Sequence, residues 1–219
     1  MQMVGAPDLG RWRYVYLLIA MVVMLVAYPY ARGCGVLSIA AVLIPIASVI
    51  ALATRPRHLA ISAALGIVTL VGIIQDTARV DMLPSLVADS AALVLFAYTT
   101  IFVLWRVMQS ERVSGDILCG AIAVYLMIGL TWSLGCGLLE QLRPGSYHVV
   151  SGAGGPVTSH ELFFFSYVTL ATIGYGDVLP ATDPARSLAV LEGLCGTMYL
   201  TILVARLIGL HLADVMSRG

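Results

Sequence analysis

The stretch TLATIGYGD, Thr169 to Asp177, sets glycines on both sides of a tyrosine and follows them with an aspartate. In a water-soluble chain such a run is a candidate phosphate cradle. The rest of the sequence argues against that reading. The 219-residue chain is 60% apolar and 11% charged, against about a quarter charged in a typical soluble domain. Its mean hydropathy is +0.96. The run therefore sits in a membrane protein with little room for a separate soluble domain.

A helix that crosses a bilayer needs roughly 20 apolar residues. Six stretches are of that kind: Tyr14–Tyr30, Gly35–Thr54, Leu59–Ile74, Val87–Trp105, Ile117–Leu139 and Ser187–Leu212. Short breaks rich in charge, Gly or Pro separate the first five, as loop chemistry requires. Arg11 and Arg13 precede the first span in the manner of a signal peptide, but YPYARG, Tyr28 to Gly33, offers no convincing small-residue cleavage site. With the N-terminus inside, Arg11, Arg13, Arg55, Arg57, Arg106, Arg112 and Arg218 fall on the cytoplasmic side. Arg32, Arg79, Arg143 and Arg186 fall outside, and Arg206 lies within a span. This bias predicts cytoplasmic N- and C-termini in a multi-pass cell-membrane protein. All the basic residues are arginine, which fits a bacterial inner membrane, and the net charge is zero. No nucleic-acid partner is implied.

The long connection from Glu140 to Arg186 breaks the pattern. It opens as a Gly/Pro/Ser-rich loop and turns apolar over LFFFSYVTLATI, Leu162 to Ile173, which is too short to cross. Such a segment followed by glycines reads as a re-entrant half-helix. Non-helical backbone at membrane depth persists only where protein buries it or where it lines a water-filled path. Ion-selectivity filters meet that condition with backbone carbonyls that replace an ion's hydration shell, in sequences of the type TVGYG. Here the corresponding run is Thr172-Ile173-Gly174-Tyr175-Gly176. Its glycines suit alternate conformations that a Cβ would penalise.

On these residues the segment from about Ile117 to Arg218 resembles the pore module of tetrameric potassium channels. The resemblance implies an all-α membrane protein with six transmembrane helices, and a re-entrant pore helix and filter between the fifth and sixth. Residues 114–219 would form the pore domain. Residues 1–113 would form a four-helix membrane domain of unknown role. Carbonyls of Thr172, Ile173, Gly174 and Tyr175, with Gly176 completing the strand, would bind K+ in a homotetramer surrounded by lipid. Passive potassium conduction would need no cofactor. The register implies that Gly196 is either a hinge or a close-packing position, and that Thr197, Leu200 and Val204 face a cavity. Tyr175 would turn its ring away from the axis and wedge the filter against its support.

The chain departs from the family pattern where the filter is braced. Phe164 and Phe165 stand where tryptophans are common, so Asp177 must find a donor elsewhere. Val168 replaces a glutamate that some members carry behind the filter. Glu192, an ionisable residue inside a span and hence a functional candidate, is either the compensation, hydrogen-bonded to Tyr167 or Ser166, or a protonated or paired packing residue. The fourth span contains no arginine, so it is not a voltage sensor. Cys34 and Cys136 are one conceivable pair near the outer surface, and His148 and His160 one weak pair of metal ligands. The scattered acids and histidines form no catalytic constellation, so the chain is not read as an enzyme. Two rivals stay open: a weakly selective cation channel, and a non-conducting regulatory or scaffold subunit that keeps the fold.

Overall fold

The computed structural model describes residues 13–27, 47, 56–78, 85–110, 114–150 and 157–218. In chain order the elements are α1 (Arg13–Ala27), α2 (Pro56–Ala78), α3 (Ser85–Gln109), α4 (Gly115–Leu142), β1 (Tyr147–Val149), α5 (Ser159–Leu170), β2 (Val178–Pro180) and α6 (Asp183–Arg218). The protein is a mostly helical membrane protein. Among the described residues four helical stretches are long and apolar enough to cross a bilayer: His58–Gln75, Ser85–Gln109, Gly115–Leu142 and Asp183–Leu210. The apolar part of α1, Tyr14–Val26, is shorter. Apart from Ala47, the expected span Gly35–Thr54 lies outside the described residues, as does Cys34.

In the long helices threonine hydroxyls fold back onto their own helix. Thr99 donates to the Leu95 carbonyl at 2.8 Å, Thr100 to Phe96 at 2.7 Å, and Thr131 to Met127 at 2.7 Å. These back-bonds let polar side chains sit at membrane depth without an unpaired donor. The helices pack in sequence, α2 on α3 and α3 on α4, while α4 also carries α1, α5 and α6. A main core joins Leu17 and Met21 of α1, Phe96 and Val103 of α3, and Val124 and Met127 of α4. It continues to Phe163 of α5 and Tyr199 of α6.

The connection between α4 and α6 is more ordered than its composition suggests. An all-α reading makes Tyr147–Val149 loop, yet these residues form β1 and pair antiparallel with β2 in the register Tyr147↔Pro180, His148↔Leu179 and Val149↔Val178. Glu140 at the end of α4 sets up this ladder. One carboxylate oxygen accepts from the Gly145 amide at 2.7 Å and the other from the Tyr147 amide at 3.0 Å. Gly145, at φ +83°, makes the turn. Beneath the ladder Cys136, Tyr147, Leu162, Phe165, Val178 and Ala185 form a second apolar cluster. Cys136 is buried there and has no disulfide partner among the described residues. The last helix starts earlier than the expected span Ser187–Leu212, since α6 begins at Asp183.

Candidate functional site

The short helix α5 is fixed at both ends. At its start Thr158 caps the Glu161 amide at 3.3 Å, while the Glu161 carboxylate takes the Thr158 amide at 2.6 Å. This capping box defines where the helix begins. At its far end the chain leaves the helix with its hydrogen bonds intact. The amides of Ala171, Thr172 and Ile173 turn back to the carbonyls of Tyr167, Thr169 and Val168 at 2.9–3.0 Å.

From there φ alternates in sign. Thr172, Gly174 and Gly176 have φ of +57°, +61° and +82°, whereas Ile173 and Tyr175 do not enter the positive region. Alternation of left- and right-handed backbone aims successive peptide groups to one side. For Thr172 it carries a cost of about 1 kcal/mol or more. The whole Thr172–Asp177 run is exposed in the single chain, with Ile173 at 53% and Tyr175 at 65%. A strained, hydrogen-bond-poor and uncovered segment is held out by a well-capped helix on one side and a β-ladder on the other.

The two phenylalanines divide the bracing. Phe164 stacks on Tyr175 with ring centroids 6.1 Å apart and planes 5° apart. Phe165 is buried edge-on against Tyr147, with centroids 5.4 Å apart. Asp177 is joined to the residue after β1 through its backbone, its carbonyl accepting from the Val150 amide at 2.9 Å.

Behind the run the contacts are polar and buried. Glu192 of α6 is fully buried, and its Oε1 meets the Ser166 hydroxyl of α5. Ser166 also donates to the Gly129 carbonyl of α4 at 2.8 Å. Of the two expected partners of Glu192, Ser166 is present. Tyr167 points elsewhere: its hydroxyl donates to the Leu126 carbonyl at 2.7 Å. Its ring lies against Gly129, where a Cβ would stand 2.7 Å from a ring carbon. Tyr147 is buried as well, which pushes its phenol well above the usual range.

Gly196 admits the end of α5. A Cβ there would fall 2.2 Å from the Leu170 carbonyl oxygen, which also accepts from the Tyr125 hydroxyl at 3.4 Å. This close approach is the packing role weighed for Gly196. Thr197, Leu200 and Val204 are all exposed in the single chain, and Thr197 is back-bonded to Gly193 at 3.0 Å. Among the described residues no group of three or more His, Cys, Asp or Glu is placed to hold a metal ion.

Sequence reasoning missed Glu140, Gly129 and Arg206 as parts of this region. Arg206 donates to the Ser110 carbonyl just past α3 at 2.7 Å, tying α6 to the first half of the chain. A charge inside a span was the available signal for Arg206. Gly129 and Glu140 carried none, because only their tertiary neighbours distinguish them.

Residues 144–210 match the ion channel family. Three relatives of the chain are potassium channels by name. The inward rectifier potassium channel Kirbac3.1 of Paramagnetospirillum magnetotacticum is 40% identical over 70 residues, 32% of this chain and 20% of that protein. Two pore potassium channel c of Oryza sativa subsp. japonica is 31% identical over 87 residues, 40% of this chain and 17% of that protein. Two-pore potassium channel 4 of Arabidopsis thaliana is 35% identical over 48 residues, 22% of this chain and 17% of that protein. The chain thus spans about a fifth of the length of the curated relatives it matches. No solved structure gives a significant match. The matched segment is a channel-type module rather than an enzyme's.

Proposed function

We propose that the chain is a potassium-selective channel subunit and that Thr172–Gly176 is its selectivity filter. The observation that carries the reading is the alternating φ of Thr172, Gly174 and Gly176 in an exposed run. Such a backbone turns the carbonyls of Thr172, Ile173, Gly174 and Tyr175 toward one side, where they replace the water around a dehydrated cation. One chain supplies one wall of such a path, so the working unit is a homotetramer with the filter on its four-fold axis. In that arrangement α5 is the re-entrant pore helix, α4 the outer helix and α6 the inner helix. Residues 114–219 are the pore domain, and residues 1–113 a membrane domain packed around it.

The bracing follows from the same geometry. The carboxyl end of α5 carries the negative end of its helix dipole and leads into the filter, which favours a cation there. The Phe164–Tyr175 stack and the Val150–Asp177 bond hold the filter from outside. Ser166, Glu192 and Tyr167 hold the pore helix from behind. Thr197, Leu200 and Val204 line the cavity below, with both termini on the cytoplasmic side of a bacterial inner membrane. Conduction is passive and performs no chemistry on the ion.

Ion flux through the purified protein in liposomes tests the proposal by comparing potassium with sodium gradients. Potassium-selective flux that Gly174→Ala abolishes is the expected result, since alanine at φ +61° is strained and adds a methyl to the filter wall. Equal potassium and sodium flux would overturn the selectivity part. Flux unaffected by Gly174→Ala would overturn the filter assignment.

A further inference from the structure

Ser166 lies one helical turn before α5 ends, fully buried between two other helices. Its oxygen is 2.8 Å from the Gly129 carbonyl of α4 and also meets Glu192 Oε1 of α6. A serine hydroxyl owns a single proton. A backbone carbonyl can only accept, so the contact with Gly129 uses that proton. The contact with Glu192 must then be made with a proton from the carboxyl side. We propose that Glu192 is a neutral carboxylic acid that donates to Ser166, which donates in turn to Gly129. A directed chain of two protons thus ties the pore helix to both flanking helices. This rests on the channel reading above and states how the filter's support is held.

Two further observations point the same way. Glu192 is 0% exposed, and a buried carboxylate without a cationic partner is strongly disfavoured. The titratable groups around it are Cys136 of α4, Tyr147 of β1 and Tyr167 of α5, all weak acids that bring no positive charge. Among the described residues the ion pair recorded on α6 is Arg186 with Asp183, at 3.6 Å near the start of the helix. The other Glu192 oxygen, Oε2, is buried without a partner among the described residues. An unfilled lone pair is tolerable on the carbonyl oxygen of an acid and far more costly on a carboxylate.

The consequence is directional. A charged Glu192 would claim the Ser166 proton and leave the Gly129 oxygen facing a lone pair. The neutral acid satisfies all three groups at once, so α4, α5 and α6 keep one register beside the filter. Glu192 is a positioning residue in this scheme and touches no ion.

Infrared spectroscopy of the full-length chain in lipid at neutral pH tests the inference. The expected spectrum contains a protonated-carboxyl C=O band that moves when the protein is made with isotope-labelled glutamate. The band disappears in Glu192→Gln and shifts in Ser166→Ala, where the acid loses its acceptor. A wild-type spectrum without a glutamate-derived protonated-carboxyl band overturns the proposal. So does a band that survives Glu192→Gln or stays in place in Ser166→Ala. The labelling arm needs no variant, so it decides the matter even if a substituted chain fails to fold. None of these measurements requires conduction, so a failure here leaves the channel proposal standing, and a failed flux experiment leaves the proton chain standing.

Discussion

At the scale of single residues, the module depends on a few positions where one atom more or less changes the outcome. Gly196 is the sharpest, because a methyl there would lie 2.2 Å from a backbone oxygen of the helix end that leads into the proposed filter. Backbone cannot rotate away as a side chain can, so the helices must separate. Gly196→Ala is expected to destabilise the protein by about 1–3 kcal/mol, the usual range for overpacking. A lowered thermal midpoint of the purified protein checks this, and an unchanged midpoint would mean that α6 moves freely against α5. Gly129 is a similar case with a softer neighbour, the Tyr167 ring. The glycines of the TIGYG run were readable from their spacing alone. Gly196 was marked by register as a hinge or packing position, whereas Gly129 was not marked at all, since small residues on apolar helices look alike until the facing helix is known.

At the scale of elements, the short helix α5 shows how local signals and long-range contacts share the work. Its start is encoded in four consecutive residues, Thr158 to Glu161, whose side chains and backbone cap one another. Thr158→Ala should cost about 1 kcal/mol, the typical worth of an N-cap. Faster hydrogen exchange at the first-turn amides of α5, with the α4 amides unaffected, is the expected readout. Its carboxyl end is held differently, by Tyr125, Gly196 and the turn back of residues 171–173. The ladder of β1 and β2 was invisible in the sequence for a plain reason. Three-residue strands carry too little alternation to read, and this pair depends on a carboxylate from the preceding helix. Glu140→Ala removes two amide acceptors at once and is expected to loosen β1. Loss of exchange protection at Tyr147 and Gly145 would report it.

At the scale of the whole molecule, the single chain leaves too much apolar surface open. Along α6, Val190, Leu191, Leu194, Met198, Leu200, Ile202 and Val204 are all at least 44% exposed. A helix apolar on every side belongs among other helices or in lipid. In the proposed tetramer the faces bearing Thr197, Leu200 and Val204 turn toward the axis. Native mass spectrometry of the protein in detergent should therefore give four copies, and a stable monomer would count against the assembly. Besides the packing of α1 and α3 on α4, Arg206 ties α6 to the first half of the chain, its guanidinium donating to the Ser110 carbonyl. Arg206→Gln should lower stability by about 1.5 kcal/mol, the lower end of the range for a charged hydrogen bond. An unaltered thermal midpoint would show that this tie carries no strain between the halves.

The sequence alone determined the solvent, the long apolar spans of the second half and the glycine run. Those are decided by composition and by local backbone preference, which each residue carries with it. It also pointed to Glu192 as the acid inside a span and left its partner open between Ser166 and Tyr167. Only the tertiary structure chose Ser166, sent Tyr167 to the Leu126 carbonyl, stacked Phe164 on Tyr175 and set Gly196 against Leu170. These contacts join residues that are not neighbours in the chain, up to 41 positions apart, and they follow from how the packed elements rotate against one another. That rotation is a property of the packed interface, and no single helix encodes it.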